Sequence, residues 1–189
     1  MKQHALSRIA ARLGLSLFGL PLLCLVAALA AGALADDLPK GQDLPKGQTS
    51  GLPLPRFVSV KSTPVNVRQG PSADYDIAWR FLKAGVPVEV TQEFDIWFKV
   101  RDSEGQEGWI QKTLLSGRRT ALVSPWDKGE PIAIVDKSGG SVIVARLEHN
   151  VMVDVTACDG HWCRVLVEGT KGWIAQERLW GVYPGEKIE

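Results

Sequence analysis

Histidine and cysteine are scarce in this chain, three of each among 189 residues. His4 and Cys24 lie in the N-terminal stretch, so the body of the chain holds two imidazoles, His149 and His161, and two thiols, Cys158 and Cys163. A zinc centre needs about four ligands. The one place where these residues gather, "CDGHWC" at 158–163, offers three, with His149 the remaining imidazole. Neither histidine sits in a nucleophile motif, and no GxSxG, HExxH, phosphate loop or CxxC occurs. The expectation is a protein that is not an enzyme and carries no metal or cofactor. A surplus of positive charge is also missing. Taking away residues 1–35 removes three of the 22 basic residues (Lys2, Arg8, Arg12) and none of the 21 acidic ones, leaving a net charge of −2. Nucleic acid is therefore not an expected partner.

Sustained helical periodicity is absent after residue 56, whereas the N-terminus has a pattern of its own. "MKQHALSRIAAR" is basic and precedes an uncharged apolar stretch from Leu13 to Leu34, with the small-x-small triplet Ala33-Leu34-Ala35 before Asp36-Asp37. This predicts a signal peptide over 1–35, cut after Ala35, and a periplasmic or secreted protein. The alternative is an uncut leader, the only case in which a membrane is a partner. Cys24 follows Pro21-Leu22-Leu23 and lacks the small residue that a lipid-modified cysteine needs before it. Residues 36–55 carry "DLPKGQ" twice in tandem, at 37–42 and 43–48. With so few apolar side chains to offset the entropy of ordering, they are expected to be a flexible, disordered linker.

From Arg56 onward short alternating apolar runs predict an all-β protein. The expected strands are 57–61, 65–68, 77–82, 86–90, 97–101 and 107–110, then 131–135, 141–147, 151–155, 162–167 and 171–174. The two series are one motif written twice. At an offset of 65, Leu82, Val86, Val88, Val90 and Trp97 match Leu147, Val151, Val153, Val155 and Trp162, and Gly85 falls on Asn150. Glycine and asparagine best tolerate positive φ, so the same turn is expected in both copies. Gly108-Trp109-Ile110 aligns with Gly172-Trp173-Ile174 at an offset of 64. Each copy is about 60 residues, near the lower limit for one core, and five short strands of that length close best as a small barrel. The expected domains are 56–117 and 131–184, joined by a connector at 118–130. That connector contains "TALV" and Trp126, too apolar for a free linker, so the barrels are expected to touch.

Residues 57–117, with "VNVRQGPSADYDIAWRFLKAGVPVEV…WFKVR…GQEGWIQKTLL", closely resemble the bacterial SH3 domain. The resemblance rests on the "NVR-x-GPS" loop, the "G-x-x-V-x-V" strand, the Trp before a "K-V" strand, and the "G-W-I" strand. It extends more loosely over 122–183, where "IVDKSGGS" stands in place of "NVR-x-GPS". With "LSGRRTALV" in the middle and "LWGVYPGE" at the end, the tandem looks like the double SH3-like proteins exported by proteobacteria. The resemblance implies two SH3-like β-barrels that bind or target peptidoglycan, another cell-wall polymer or an envelope protein. Any binding residue of the first long loop carries over to copy one alone.

In "WFKVR", Trp97 alternates with Phe98 and Val100, which sends it to the outer face with Lys99 and Arg101. Beside a loop carrying Asp74 and Tyr75, an outward Trp97 would build an aromatic groove for sugar faces or prolines. The candidate ligand-binding residues are Asp74, Tyr75, Trp97 and its counterpart Trp162; the competing reading has Trp97 closing the barrel end. Trp109 and Trp173, each behind a glycine, are expected in the cores. Arg118 and Arg119 are read as seating one barrel on the other, meeting an acidic envelope polymer, or simply solvated. Two functions follow. One is a non-catalytic envelope-binding module; the other is a scaffold or auxiliary subunit of an envelope enzyme, with its aromatic faces buried in interfaces. For "CDGHWC", a catalytic dithiol would need tighter spacing, so Cys158 and Cys163 are expected to form a disulfide across a hairpin. Simple alternation places both on the face opposite Val153 and Val155 unless a bulge intervenes.

Overall fold

In a computed structural model, residues 44–189 are described, and they are built almost wholly from antiparallel strands. The signal peptide expected at 1–35 lies outside the described residues. The first seven strands are β1 (Arg56–Val60), β2 (Val65–Arg68), β3 (Ile77–Phe81), β4 (Pro87–Phe94), β5 (Trp97–Arg101), β6 (Glu107–Gln111) and β7 (Leu115–Ser116). The second seven are β8 (Thr120–Val123), β9 (Ile132–Val135), β10 (Ile143–Leu147), β11 (Met152–Asp159), β12 (Trp162–Val167), β13 (Thr170–Ala175) and β14 (Leu179–Trp180); β15 (Lys187–Ile188) adds to β11. Hydrogen-bonded order is β3-β2-β6-β5-β4-β1-β7 in one sheet and β10-β9-β13-β12-β11-β8-β14 in the other. Adding seven to each label of the first order reproduces the second, so the duplication read from the sequence holds at the level of topology. A 3-10 turn precedes the last strand of each series, at Lys112–Leu114 and Gln176–Arg178.

Each sheet closes around its own valine-rich core. Val60, Val65, Val67, Val88, Val90, Val100 and Ile110 fill the first. Val123, Ile134, Val153, Val165 and Ile174 fill the second together with Cys158 and Cys163. Branched side chains suit the pleated, half-buried surface of such strands, and each fully buried one contributes roughly 1.5–3 kcal/mol. Gly85 at φ +85° and Asn150 at φ +64° make the shared turn expected from the repeat. Leu82 and Leu147 align in sequence but not in environment, the first exposed and the second buried.

Two segments differ from the sequence reading. Of the linker expected at 36–55, residues 36–43 lie outside the described residues, while 44–55 form an ordered hook on the first barrel. Lys46 bridges Pro53, Leu54 enters the first core, and the Thr49 and Ser50 amides donate to Glu93. A buried carboxylate and one buried leucine together anchor a segment whose composition reads as linker. The connector expected at 118–130 contains β8, which pairs with β11 and β14 and places Ala121 and Val123 in the second core. The second barrel therefore begins with β8 and runs on to β15.

The barrels touch, as the apolar connector implied. Thr120 Oγ1 donates to the Gly85 carbonyl at 2.6 Å, and Tyr183 Oη donates to Glu89 Oε1 at 2.8 Å. Phe57 of β1 packs on Trp180 and Tyr183, with ring centroids 5.2 and 4.7 Å away.

Candidate functional site

On the first barrel the β2–β3 loop lies across the outer face of β5 and β6. Gln69 N donates to the Asp76 carbonyl, Arg68 Nη1 donates to the Tyr75 carbonyl at 2.6 Å, and the Tyr75 ring covers Gly70. A Cβ at Gly70 would meet that ring at 2.6 Å, so a larger residue there would displace the exposed Tyr75 ring. Between loop and sheet is a pocket of about 210 Å³, lined by Asn66, Arg68, Ala73, Trp97, Gln111 and Leu114 among others. An indole wall surrounded by two amides and a guanidinium offers one flat apolar surface with donors and acceptors beside it. That combination suits a peptide or an amide-bearing sugar.

Trp97 is therefore on the predicted face but not open to solvent: it is 7 % exposed. Alternation reports which side of a sheet a residue takes, not whether a loop covers that side. Asp74 and Tyr75 are exposed on the same loop as Ala73, and Ser72 Oγ donates to Asp74. Ala73 rather than either of them joins Trp97 at the pocket wall. Trp162 lies half-buried on the other barrel, beside a separate pocket walled by Gln176, Glu177, Pro184 and Gly185. The four candidate residues do not form one groove.

Trp109 and Trp173 are not core residues. Gly108 and Ile110 point inward, and Trp109 stands on the outer face opposite Lys99 and Arg68. Trp173 does the same opposite Arg164 and Val135. The glycine is itself the inward position: a Cβ at Gly108 would meet Val67 at 2.5 Å, and one at Gly172 would meet Ile134 at 2.8 Å. Arg118 and Arg119 are both paired within the second barrel, Arg118 with Asp154 at 2.6–2.7 Å and Arg119 with Glu186 at 2.7 and 3.0 Å.

Cys158 and Cys163 form a disulfide directly across β11 and β12. The register shifts between Val155 and Ala157, and this bulge turns Cys158 into the core. The first barrel has the same bulge between Val90 and Gln92, which turns Glu93 inward opposite Phe98. Glu93 accepts from the Thr49 and Ser50 amides, Ser50 Oγ and Arg56 Nη2, at 2.6–2.9 Å. Burial alone would raise its pKa, but these hydrogen bonds, Ser50 foremost, outweigh it and hold the carboxyl below its ordinary value. Sequence reasoning did not single out Glu93; a charged residue aligned with a half-cystine was the available signal.

Between the barrels, Glu89 is buried and accepts from Arg101 Nε at 2.8 Å as well as from Tyr183. Burial, then the bond to Glu89 and the neighbouring carboxylates, push the Tyr183 phenol far above its ordinary range, so it remains a donor. Beside this contact a third pocket of about 400 Å³ opens, with Phe57, Trp126, Trp180 and Tyr183 in its walls.

Among curated proteins, none matches the chain. Among solved structures it is similar to NlpC2 of Trichomonas vaginalis at 16 % identity, covering 69 % of this chain and 48 % of that one with a TM-score of 0.32. NlpC1 of Trichomonas vaginalis matches at 19 % identity, covering 74 % and 51 % with a TM-score of 0.29. An NlpC/P60 family protein of Bacillus cereus matches at 12 %, covering 66 % and 55 %, also at 0.29. The chain spans about half the length of these proteins. The bacterial SH3 domain family matches residues 61–117 and again 137–181, more than half of the sequence and one match in each barrel. The chain belongs to the bacterial SH3 domain family and carries that domain twice in tandem.

Proposed function

We propose that this protein is a non-catalytic binding module of the cell envelope, and that its first barrel takes a cell-wall polymer or an envelope-protein segment into the pocket beside Trp97. The observation that carries the proposal is the pocket itself, an indole framed by Asn66, Arg68 and Gln111 under a loop held by Arg68. Membership of the bacterial SH3 family supports a binding role, and the disulfide supports an exported location, since such bonds persist in oxidising compartments. The equivalent loop of the second barrel, at 136–142, has a different sequence, "DKSGGSV", with no counterpart of Tyr75.

Cosedimentation with purified sacculi tests this reading. The intact protein is expected to pellet with the wall, and Trp97→Ala to lose that behaviour. Because Trp97 is buried, Ala73→Trp provides a second variant that fills the pocket mouth from an exposed position. Failure of the intact protein to pellet, or pelleting untouched by both variants, would overturn the proposal. The scaffold alternative, with aromatic faces buried in interfaces, is favoured by the burial of Trp97 and by Phe57, Trp180 and Tyr183, which meet between the barrels.

A further inference from the structure

At one end of each sheet lies a five-residue edge strand paired on one side alone, β3 in the first barrel and β10 in the second. The strands at the opposite ends, β7 and β14, are two residues each. An open row of backbone N–H and C=O groups is a template for another strand, so natural edges are kept short or blunted by charge or proline. β3 follows that rule: Arg80 stands exposed within it and donates through Nε to Asn66. β10 does not. Val142, Ile143 and Val144, at its start, are 63, 48 and 44 % exposed, and no charge, proline or glycine occurs from Ser141 to Ala145. Successive side chains of an extended chain take opposite faces, so an exposed aliphatic run leaves both faces of this edge uncovered. A neighbour packed on one face would hide only part of the run. A strand added to the edge flanks both faces and also pairs the backbone. Val144 has no partner on β9, where the register shifts.

The charges at the two ends of this edge identify the strand that fits it. Asp136 and Lys137 lie at the start, where the Asp136 amide donates to the Val142 carbonyl and a Cβ at Gly140 would meet Asp136 Oδ1 at 2.5 Å. Arg146 and Glu148 lie at the other end. All four are exposed, and among the described residues none has an ion-pair partner in its own chain. A second β10 laid antiparallel, with Ile143 of each copy opposite Val144 of the other, sets Arg146 opposite Ser141 and Glu148 opposite Gly139. Arg146 then comes beside the other copy's Asp136, and Glu148 beside its Lys137. The same contacts recur at the far end about a twofold axis. Parallel pairing in register would instead stack Arg146 on Arg146. The edge is therefore complementary to itself, with branched aliphatics meeting in the middle and opposite charges at both ends.

We propose that β10 is the interaction surface for a second copy of this chain, the second barrels of two copies joining edge to edge through antiparallel β10 strands into one continuous sheet. Two strands of five residues make a small interface, so the association is weak and concentration-dependent. Sedimentation equilibrium of the full chain over a range of protein concentrations tests it. A monomer–dimer equilibrium is expected. Ile143→Lys places an ammonium on the edge and should weaken the dimer on the order of tenfold or more. Because Ile143 is exposed, the variant should keep the parent melting temperature. Arg146→Glu sets like charges together and should weaken the dimer on the order of tenfold. Adding Asp136→Lys to that variant should restore it, which neither non-specific apolar aggregation nor a contact elsewhere on the molecule would do. The proposal is overturned if the protein is monomeric at every concentration, if Ile143→Lys leaves the dimer intact, or if the double exchange does not recover what Arg146→Glu loses.

Discussion

Glu93 is the residue on which the N-terminal hook depends. Gly47 lies so close that a Cβ there would meet the carboxylate at 2.3 Å, and Arg56 supplies the countercharge at 2.7 Å. Removing one partner of a buried ion pair leaves the other uncompensated, so Glu93→Ala is expected to lower stability by about 3 kcal/mol in denaturant titration. Gly47→Ala should release residues 44–55, read as loss of amide-exchange protection there, while the barrel strands stay protected. The hook is also acid-sensitive. Because folding depresses the Glu93 pKa, its contribution is fully present above the ordinary carboxylate value of 4.5 and disappears as pH falls through the lower folded value. Hook protection that is unchanged from neutral pH down to pH about 2 would contradict this. None of it was legible locally, because the two proline- and glycine-rich repeats read as linker and the carboxylate that orders the second lies more than forty residues away.

At the scale of the element, the β4–β5 and β11–β12 hairpins show one backbone device serving two chemistries. The shared bulge puts an inward side chain at the hairpin end, a carboxylate in the first barrel and a disulfide in the second. A ring this short removes about 2 kcal/mol of unfolded-chain entropy in the loop-closure model. Cys158→Ser is therefore expected to lower stability by about that amount and leave the second barrel folded, checked by thermal melting and far-ultraviolet circular dichroism. Protein purified without reductant should expose no titratable thiol from this pair. The turns that lead into the same hairpins respond differently to substitution: Gly85→Val forces a β-branched residue into positive φ, whereas Asn150→Gly relaxes one. The first should destabilise and the second be near neutral, and equal effects in chemical denaturation would refute the shared-turn reading. Most strands could be read from apolar alternation, but β7, β14 and β15, at two residues each, are too short to carry a period, and β8 was read as connector.

In the whole molecule, the C-terminal segment joins the barrels. Glu186 is gripped by Arg119, accepts from the Tyr183 amide and thereby presents Tyr183 to Glu89 across the interface. Tyr183→Phe leaves a buried carboxylate one donor short and should cost about 1–3 kcal/mol. Combining Phe57→Ala with Tyr183→Ala removes the aromatic contact as well, and calorimetry should then resolve two unfolding transitions where the parent shows one. A single unshifted transition would show that the interface does not couple the barrels.

Apolar alternation, the internal repeat and the family motif were enough to determine an all-β chain with two SH3 domains, because strand period and turn residues are local properties of a sequence. The pairing of Cys158 with Cys163 was legible for a related reason: two thiols flank one short turn. What covers a face was decided by the tertiary structure. Trp97 went under a loop, Trp109 and Trp173 went outward because glycine took the inward place, and Trp126 was left uncovered beside a cleft that exists only once two barrels meet. Burial is a relation between segments far apart in the chain, so parity can assign a side chain to a face but cannot say what lies upon it.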